Sequence, residues 1–163
     1  MKTVTVLLTK YSDWISTLVY YICGKGYTHA SLSIDGGNTY YSFNYKGFCR
    51  ETLDKHRKRG VKRSLSYQLK VSDQAFAEME GIITSFQADR EKFHYTRLGV
   101  LFCVLGIPFQ RKWCYFCSQF VAEVLTKAGA VSLERPAALY LPNDFQRELQ
   151  DSDQLESICT NPI

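Results

Sequence analysis

Residues 29 to 45 constrain the fold more than any other stretch of the chain. His29 to Ile34 (HASLSI) and Thr39 to Tyr45 (TYYSFNY) alternate polar and apolar side chains, and Asp35-Gly36-Gly37-Asn38 lies between them. Alternation with period two marks a strand with two unlike faces, and paired glycines accept the positive φ of a tight turn at no steric cost. The stretch therefore reads as a β-hairpin. With the turn centred on Gly36-Gly37, His29 faces Asn44 and Ser31 faces Ser42. His29, Ser31, Ser33, Ser42 and Asn44 then share a polar face, and Ala30, Leu32, Ile34, Tyr41, Phe43 and Tyr45 share the face turned to the core.

Around this hairpin the pattern switches between periods. Thr3 to Leu8 reads as a strand, and Ser12 caps a helix from Asp13 to about Cys23. Arg50 to Leu53 begins a further strand, residues 55–63 form a loop, and Ser64 to Val71 is a strand with Leu65, Tyr67, Leu69 and Val71 on one face. Ser72 caps a helix to about Ala88 that buries Phe76, Met79, Ile83 and Phe86. Thr96 to Leu105 reads as a buried core helix ended by Pro108, and Cys117 to Ala128 as an amphipathic helix stopped by Gly129. Pro142 to Leu149 is a short helix and Leu155 to Cys159 a last strand. Strands and helices mix without a βαβ rhythm, which predicts an α+β fold with an antiparallel sheet. No linker, repeat or low-complexity tract divides residues 1–163, so one domain is expected.

Composition narrows the function. Apolar residues make up 45% of the chain, enough for a packed core. No stretch has the roughly 18 apolar residues of a membrane span, and the first residues lack the long apolar region of a secretion signal. The expected setting is the cytoplasm, with the six cysteines mostly reduced. Residues 55–63 (KHRKRGVKR) hold six Lys/Arg and no acid, while the other 14 Lys/Arg stand against 16 acids. The basicity is thus local, and a nucleic-acid-binding face is not expected.

Two residues have the chemistry of a catalytic pair. Cys117 opens a helix, where the partial positive charge of the first turn favours thiolate and unpaired N–H groups can hold an oxyanion. His29 sits on a strand beside Ser42 and Asn44, either of which could fix its ring through one nitrogen and leave the other as a base. His56 lies within the basic stretch, and His94 has no polar strand partner. A rival pattern is Trp113-Cys114-Tyr115-Phe116-Cys117, which looks like a thioredoxin-type redox motif, but only 46 residues follow it. A zinc site built on Cys103 or His94 lacks paired ligand spacing.

These segments also resemble a known family. THASLSID, YYSF, KGFCRE, FHYTRLGVLF, YFCSQFVAEVL and LYLPNDF are similar to the circularly permuted branch of the NlpC/P60 papain-like superfamily, which includes lecithin retinol acyltransferase-like enzymes. The most specific parts are the H-x-S-x-x-x-D strand and the F-C-S-Q-F-V helix start. The resemblance implies a papain-like site in inverted order, with His29 88 residues before Cys117. It implies amide or ester hydrolysis, or acyl transfer, through a thioester, on a small peptide, amide or lipid-ester substrate and without a cofactor or metal. The family's third polar residue falls on Ser42, where a His, Asn or acid is more usual, and Asn44 and Glu51 are the alternatives. A weaker third residue leaves open a non-catalytic ligand- or lipid-binding module on the same fold.

Overall fold

The computed structural model describes residues 1–12 and 26–163. The helix expected over Asp13–Cys23 lies outside the described residues. Six strands form one antiparallel sheet: β1 (Lys2–Thr9), β2 (His29–Ser33), β3 (Tyr40–Asn44), β4 (Gly47–Glu51), β5 (Ser64–Val71) and β8 (Leu155–Thr160), in the order β4-β3-β2-β1-β5-β8. With the helices packed against it, the architecture is α+β. β1 is central, pairing with β5 from Lys2↔Val71 to Thr9↔Ser64 and with β2 from Thr5↔Ser33 to Thr9↔His29. β2 meets β3 at Leu32↔Tyr41, the register expected for the hairpin.

Beyond that pair the two strands exchange backbone bonds for side-chain ones. The carbonyl of Ala30 accepts from Ser42 Oγ at 2.6 Å, and the N–H of Ala30 donates to the sulfur of Cys117. Both faces of β2 are covered, so Ser31 and Ser33 are as buried as Ala30 and Leu32, and His29 nearly so.

β4 starts earlier than expected, at Gly47 rather than Arg50. Asn44 Oδ1 accepts from Lys46 N and closes a tight turn, and Gly47 follows with φ +102°. A Cβ there would sit 2.4 Å from the carbonyl oxygen of Phe93, so only glycine fits. The basic stretch also differs from expectation. Its first half is a helix, α1 (Leu53–Lys58), capped by Thr52, whose hydroxyl accepts from Lys55 N.

Helix α2 (Asp73–Ala88) is capped by Ser72 and buries Ala75, Met79, Ile83 and Phe86, while Phe76 is only half-buried. A short parallel pair, β6 (His94–Tyr95) with β7 (Cys114–Tyr115), was not legible in the sequence. Between its strands lies α3 (Arg97–Val104), which is not the core helix expected. Gly99 and Cys103 face inward, and Leu98 and Leu101 are exposed. It ends before Pro108, because Gly106 adopts φ +72°. α5 (Asp144–Gln150) packs Phe145 and Leu149 into the core.

Helix α4 (Cys117–Lys127) lies on the apolar side of β2 and β3 and presents Phe120, Val121, Val124 and Leu125, all fully buried. Phe120, one turn beyond Cys117, packs tilted against Phe43 at 5.5 Å and edge-on to Phe86 at 5.0 Å between ring centres. Truncating such a ring to alanine costs about 3–5 kcal/mol. The aromatic cluster therefore fixes α4, and with it the start of the helix, against the sheet.

Candidate active site

The site forms where four element ends converge. β1 ends at Thr9, β2 begins at His29, β4 ends at Glu51, and α4 begins at Cys117. Thr9 pairs directly with His29, which holds the first residue of β2 in place. Phe116 occupies the N-cap of α4 with extended geometry, and no side chain caps the helix. The first-turn N–H groups are thus left for the sulfur and for whatever binds beside it. One of them, from Ser118, reaches the Cys117 sulfur together with the Ala30 N–H.

His29 hydrogen-bonds Cys117. Its Nε2 lies 2.8 Å from Glu51 Oε2, which leaves Nδ1 for the sulfur. His29 and Cys117, expected as a pair, are therefore in contact, and both are buried. The residue against the far side of the ring is Glu51, one of the two alternatives, and not Ser42. Ser42 shares the polar face with His29, but its hydroxyl is spent on the Ala30 carbonyl. The other alternative, Asn44, uses its side-chain oxygen in the turn at Lys46. This corrects the expectation that Ser42 holds the imidazole. The reason is that β2 and β3 part at Ala30, and the orphaned carbonyl takes the nearest donor.

Glu51 is the hub of a buried polar cluster that sequence reasoning missed. Its side chain has no exposed surface. Besides His29, its Oε2 lies 3.5 Å from His56 Nε2, and its Oε1 lies 3.5 Å from Arg59. The Tyr11 hydroxyl is 2.5 Å from His56 Nδ1, accepts a bond from Arg59, and its ring stands edge-on to His29 at 5.4 Å. Burial and the Glu51 charge push Tyr11 upward, so it stays protonated and donates to Nδ1. Neutral His56 then carries its proton on Nε2, facing Glu51. The chain of contacts runs Tyr11, His56, Glu51, His29, Cys117.

Electrostatics divides these groups sharply. Burial alone would raise Glu51, but the His29 charge and hydrogen bond, with His56 and Arg59, hold it down to about 2. Burial would lower His29, but the Glu51 charge and the bonds to Cys117 and Glu51 raise it well above the ordinary histidine range. Burial would raise Cys117, but the His29 bond and charge and the two backbone N–H groups pull it below the ordinary thiol range. His56 goes the other way: burial leads in pushing it down to about 4, helped by the charges of His29, Arg59 and Lys55. The favoured state is thiolate–imidazolium–carboxylate with a neutral second histidine.

Cys114, the other cysteine of the redox-like motif, lies in β7 and, like Cys117 at the helix start, forms no disulfide. Among the described residues no group of three His, Cys, Asp or Glu side chains is arranged to hold a metal ion, and no helix is long and apolar enough to cross a membrane. Comparison of the chain with protein-family models and with curated proteins finds no match to either.

Proposed function

We propose that the protein is a cysteine hydrolase or acyltransferase on a permuted papain-like fold, with Cys117 as nucleophile, His29 as acid and base, and Glu51 orienting the ring. The observation that carries this reading is the buried row Cys117–His29–Glu51 at an uncapped helix start. The thiolate attacks the carbonyl carbon of an amide or ester, and the electron pair of the C=O moves to oxygen. First-turn N–H groups of α4 face that oxyanion. The C–N or C–O bond then breaks, and the leaving amine or alcohol takes the proton of the His29 imidazolium. A thioester on Cys117 remains. His29, now neutral, removes a proton from water or from an acceptor alcohol or amine, which attacks the thioester and restores the thiolate. Glu51 stabilises the imidazolium whenever His29 is protonated and holds the ring in place when it is neutral, as a buried charge fixed at 2.8 Å does without reorganising.

A p-nitrophenyl ester with a short acyl chain tests the reading, with peptide mass mapping after an acid quench. The acyl group should appear on Cys117 and should be absent from the His29→Ala protein. Acylation of Cys114 or Cys159 at an equal level, or no acylation of correctly folded protein, would reject the nucleophile.

A further inference from the structure

Helix α3 and the residues after it form an exposed apolar surface that the proposed chemistry does not use. Leu98, Leu101 and Leu105 are 55%, 52% and 61% exposed, and Ile107 is 48% exposed. Spacings of three and four place the leucines on one helix face. The half-buried Phe102 and Phe109 lie behind them, with rings 4.8 Å apart. The opposite face is anchored: Cys103 is buried, and Gly99 packs so closely on Phe116 that a Cβ would come within 3.2 Å of its ring. The exposed leucines are therefore the outward side of a fixed helix that adjoins the residue preceding Cys117.

Charge identifies what fits there. From Lys92 to Ala122 the chain has four Lys/Arg and no Asp or Glu. Arg97, at the start of α3, and Arg111 and Lys112, just after Phe109, are all exposed. Among the described residues none of these three is paired with an acid: Lys112 lies over the Trp113 ring, and Lys92 pairs with Asp89. Aliphatic side chains flanked in sequence on both sides by exposed cations suit the boundary between acyl chains and phosphate headgroups. A protein partner of comparable strength would more often be met by an aromatic-rich patch, and the exposed residues here are aliphatic. At eight residues α3 is far too short to span a bilayer.

We propose that α3 and the 105–112 loop dock this protein on an anionic lipid bilayer, with Leu98, Leu101, Leu105 and Ile107 entering the interface and Arg97, Arg111 and Lys112 meeting the phosphates. Docking places α3 between the bilayer and the start of α4. It needs no turnover and stands apart from the reaction proposed for Cys117.

Co-sedimentation with vesicles tests it, using phosphatidylcholine alone and phosphatidylcholine mixed with phosphatidylglycerol. The protein should pellet with the mixed vesicles and stay in solution with phosphatidylcholine alone. Leu101→Glu with Leu105→Glu, and separately Arg111→Glu with Lys112→Glu, should each weaken partitioning about tenfold or more. Both pairs are exposed, and circular dichroism should show an unchanged fold. Lys58→Glu with Lys62→Glu, in the other basic stretch, should bind like the parent. The proposal is overturned if the parent does not pellet with mixed vesicles, if the leucine pair binds undiminished, or if only the Lys58/Lys62 pair loses binding. It is also overturned if light scattering shows a dimer that the leucine pair dissociates while neither protein binds vesicles, since the face would then join two copies of the chain.

Discussion

His29 and His56 stand on either side of one carboxylate oxygen, at 2.8 and 3.5 Å, yet they hold opposite charge states. Both are buried, so burial does not separate them. The far side of each ring does. His29 meets a thiolate, which rewards an imidazolium, and His56 meets a phenol that donates to it, which requires a lone pair on Nδ1. Arg59 and Lys55 further oppose a charge on His56, and so does His29 itself. One carboxylate supports one imidazolium, and the second histidine stands neutral 3.5 Å from it. Two buried histidines of opposite charge state can thus share a carboxylate, told apart by what lies behind them.

Substitutions break this comparison in a predictable order. The largest effect falls on the two rings themselves: His29→Ala should remove turnover on any substrate found, while His56→Gln retains a measurable fraction, because only His29 touches the reacting sulfur. Equal losses, read as kcat/KM on folded protein, would erase the distinction. Glu51→Gln comes next. It keeps the shape but removes the charge that holds His29 protonated, and should lower kcat about a hundredfold, or roughly 3 kcal/mol, while raising the Cys117 titration. Unchanged thiol titration in that variant would mean that Glu51 does not act through His29.

The two histidines should also differ in pH-dependent stability. His56 titrates near 4 folded and near 6.5 unfolded, so the unfolded chain binds the extra proton between those values. Stability should therefore fall as pH drops from about 6.5 to about 4, by on the order of 3 kcal/mol, and His56→Gln should flatten that limb. Glu51, held to about 2, loses its contribution only below the ordinary carboxylate range. His29, raised when folded, has the opposite sign and loses its contribution as pH rises. Urea midpoints across pH read all three windows. The smallest effect belongs to Ser42→Ala, which removes the bond to the Ala30 carbonyl and should cost about 0.5–1.5 kcal/mol of stability with little change in rate. A large rate loss without destabilisation would return Ser42 to the reacting group.

What the sequence showed and what it hid divide along physical lines. The hairpin register, β5, the Ser72-capped helix and the start of α4 rest on local periodicity and capping, and all were legible. The meeting of His29 and Cys117 followed from two independent local signals. Glu51 was within reach of the same reasoning: Tyr40↔Glu51 and Ser42↔Cys49 put Glu51 on the face shared by Ser42 and His29. The missing step was the turn at Gly47, which fixes that alternation through β4. His56 was hidden because it sits in a run of Lys and Arg, and a run of charge reads as solvated whichever way one member turns. Capping of α1 by Thr52 turns His56 inward while Arg57 and Lys58 face out. For α3, apolar content alone predicted burial, although content does not say whether a helix has a partner on every side.

The central claim is that Cys117 exists as a thiolate held by protonated His29. The rate of Cys117 alkylation by iodoacetamide, followed by peptide mass mapping from about pH 5 to about pH 9, tests it most directly, with exposed Cys159 as the internal reference. Cys117 should reach its plateau rate at lower pH than an ordinary thiol, whose pKa is near 8.5, and should outpace Cys159 at the acid end of the range, and His29→Ala should remove that advantage. Parallel curves for the two cysteines in the parent protein would contradict the account.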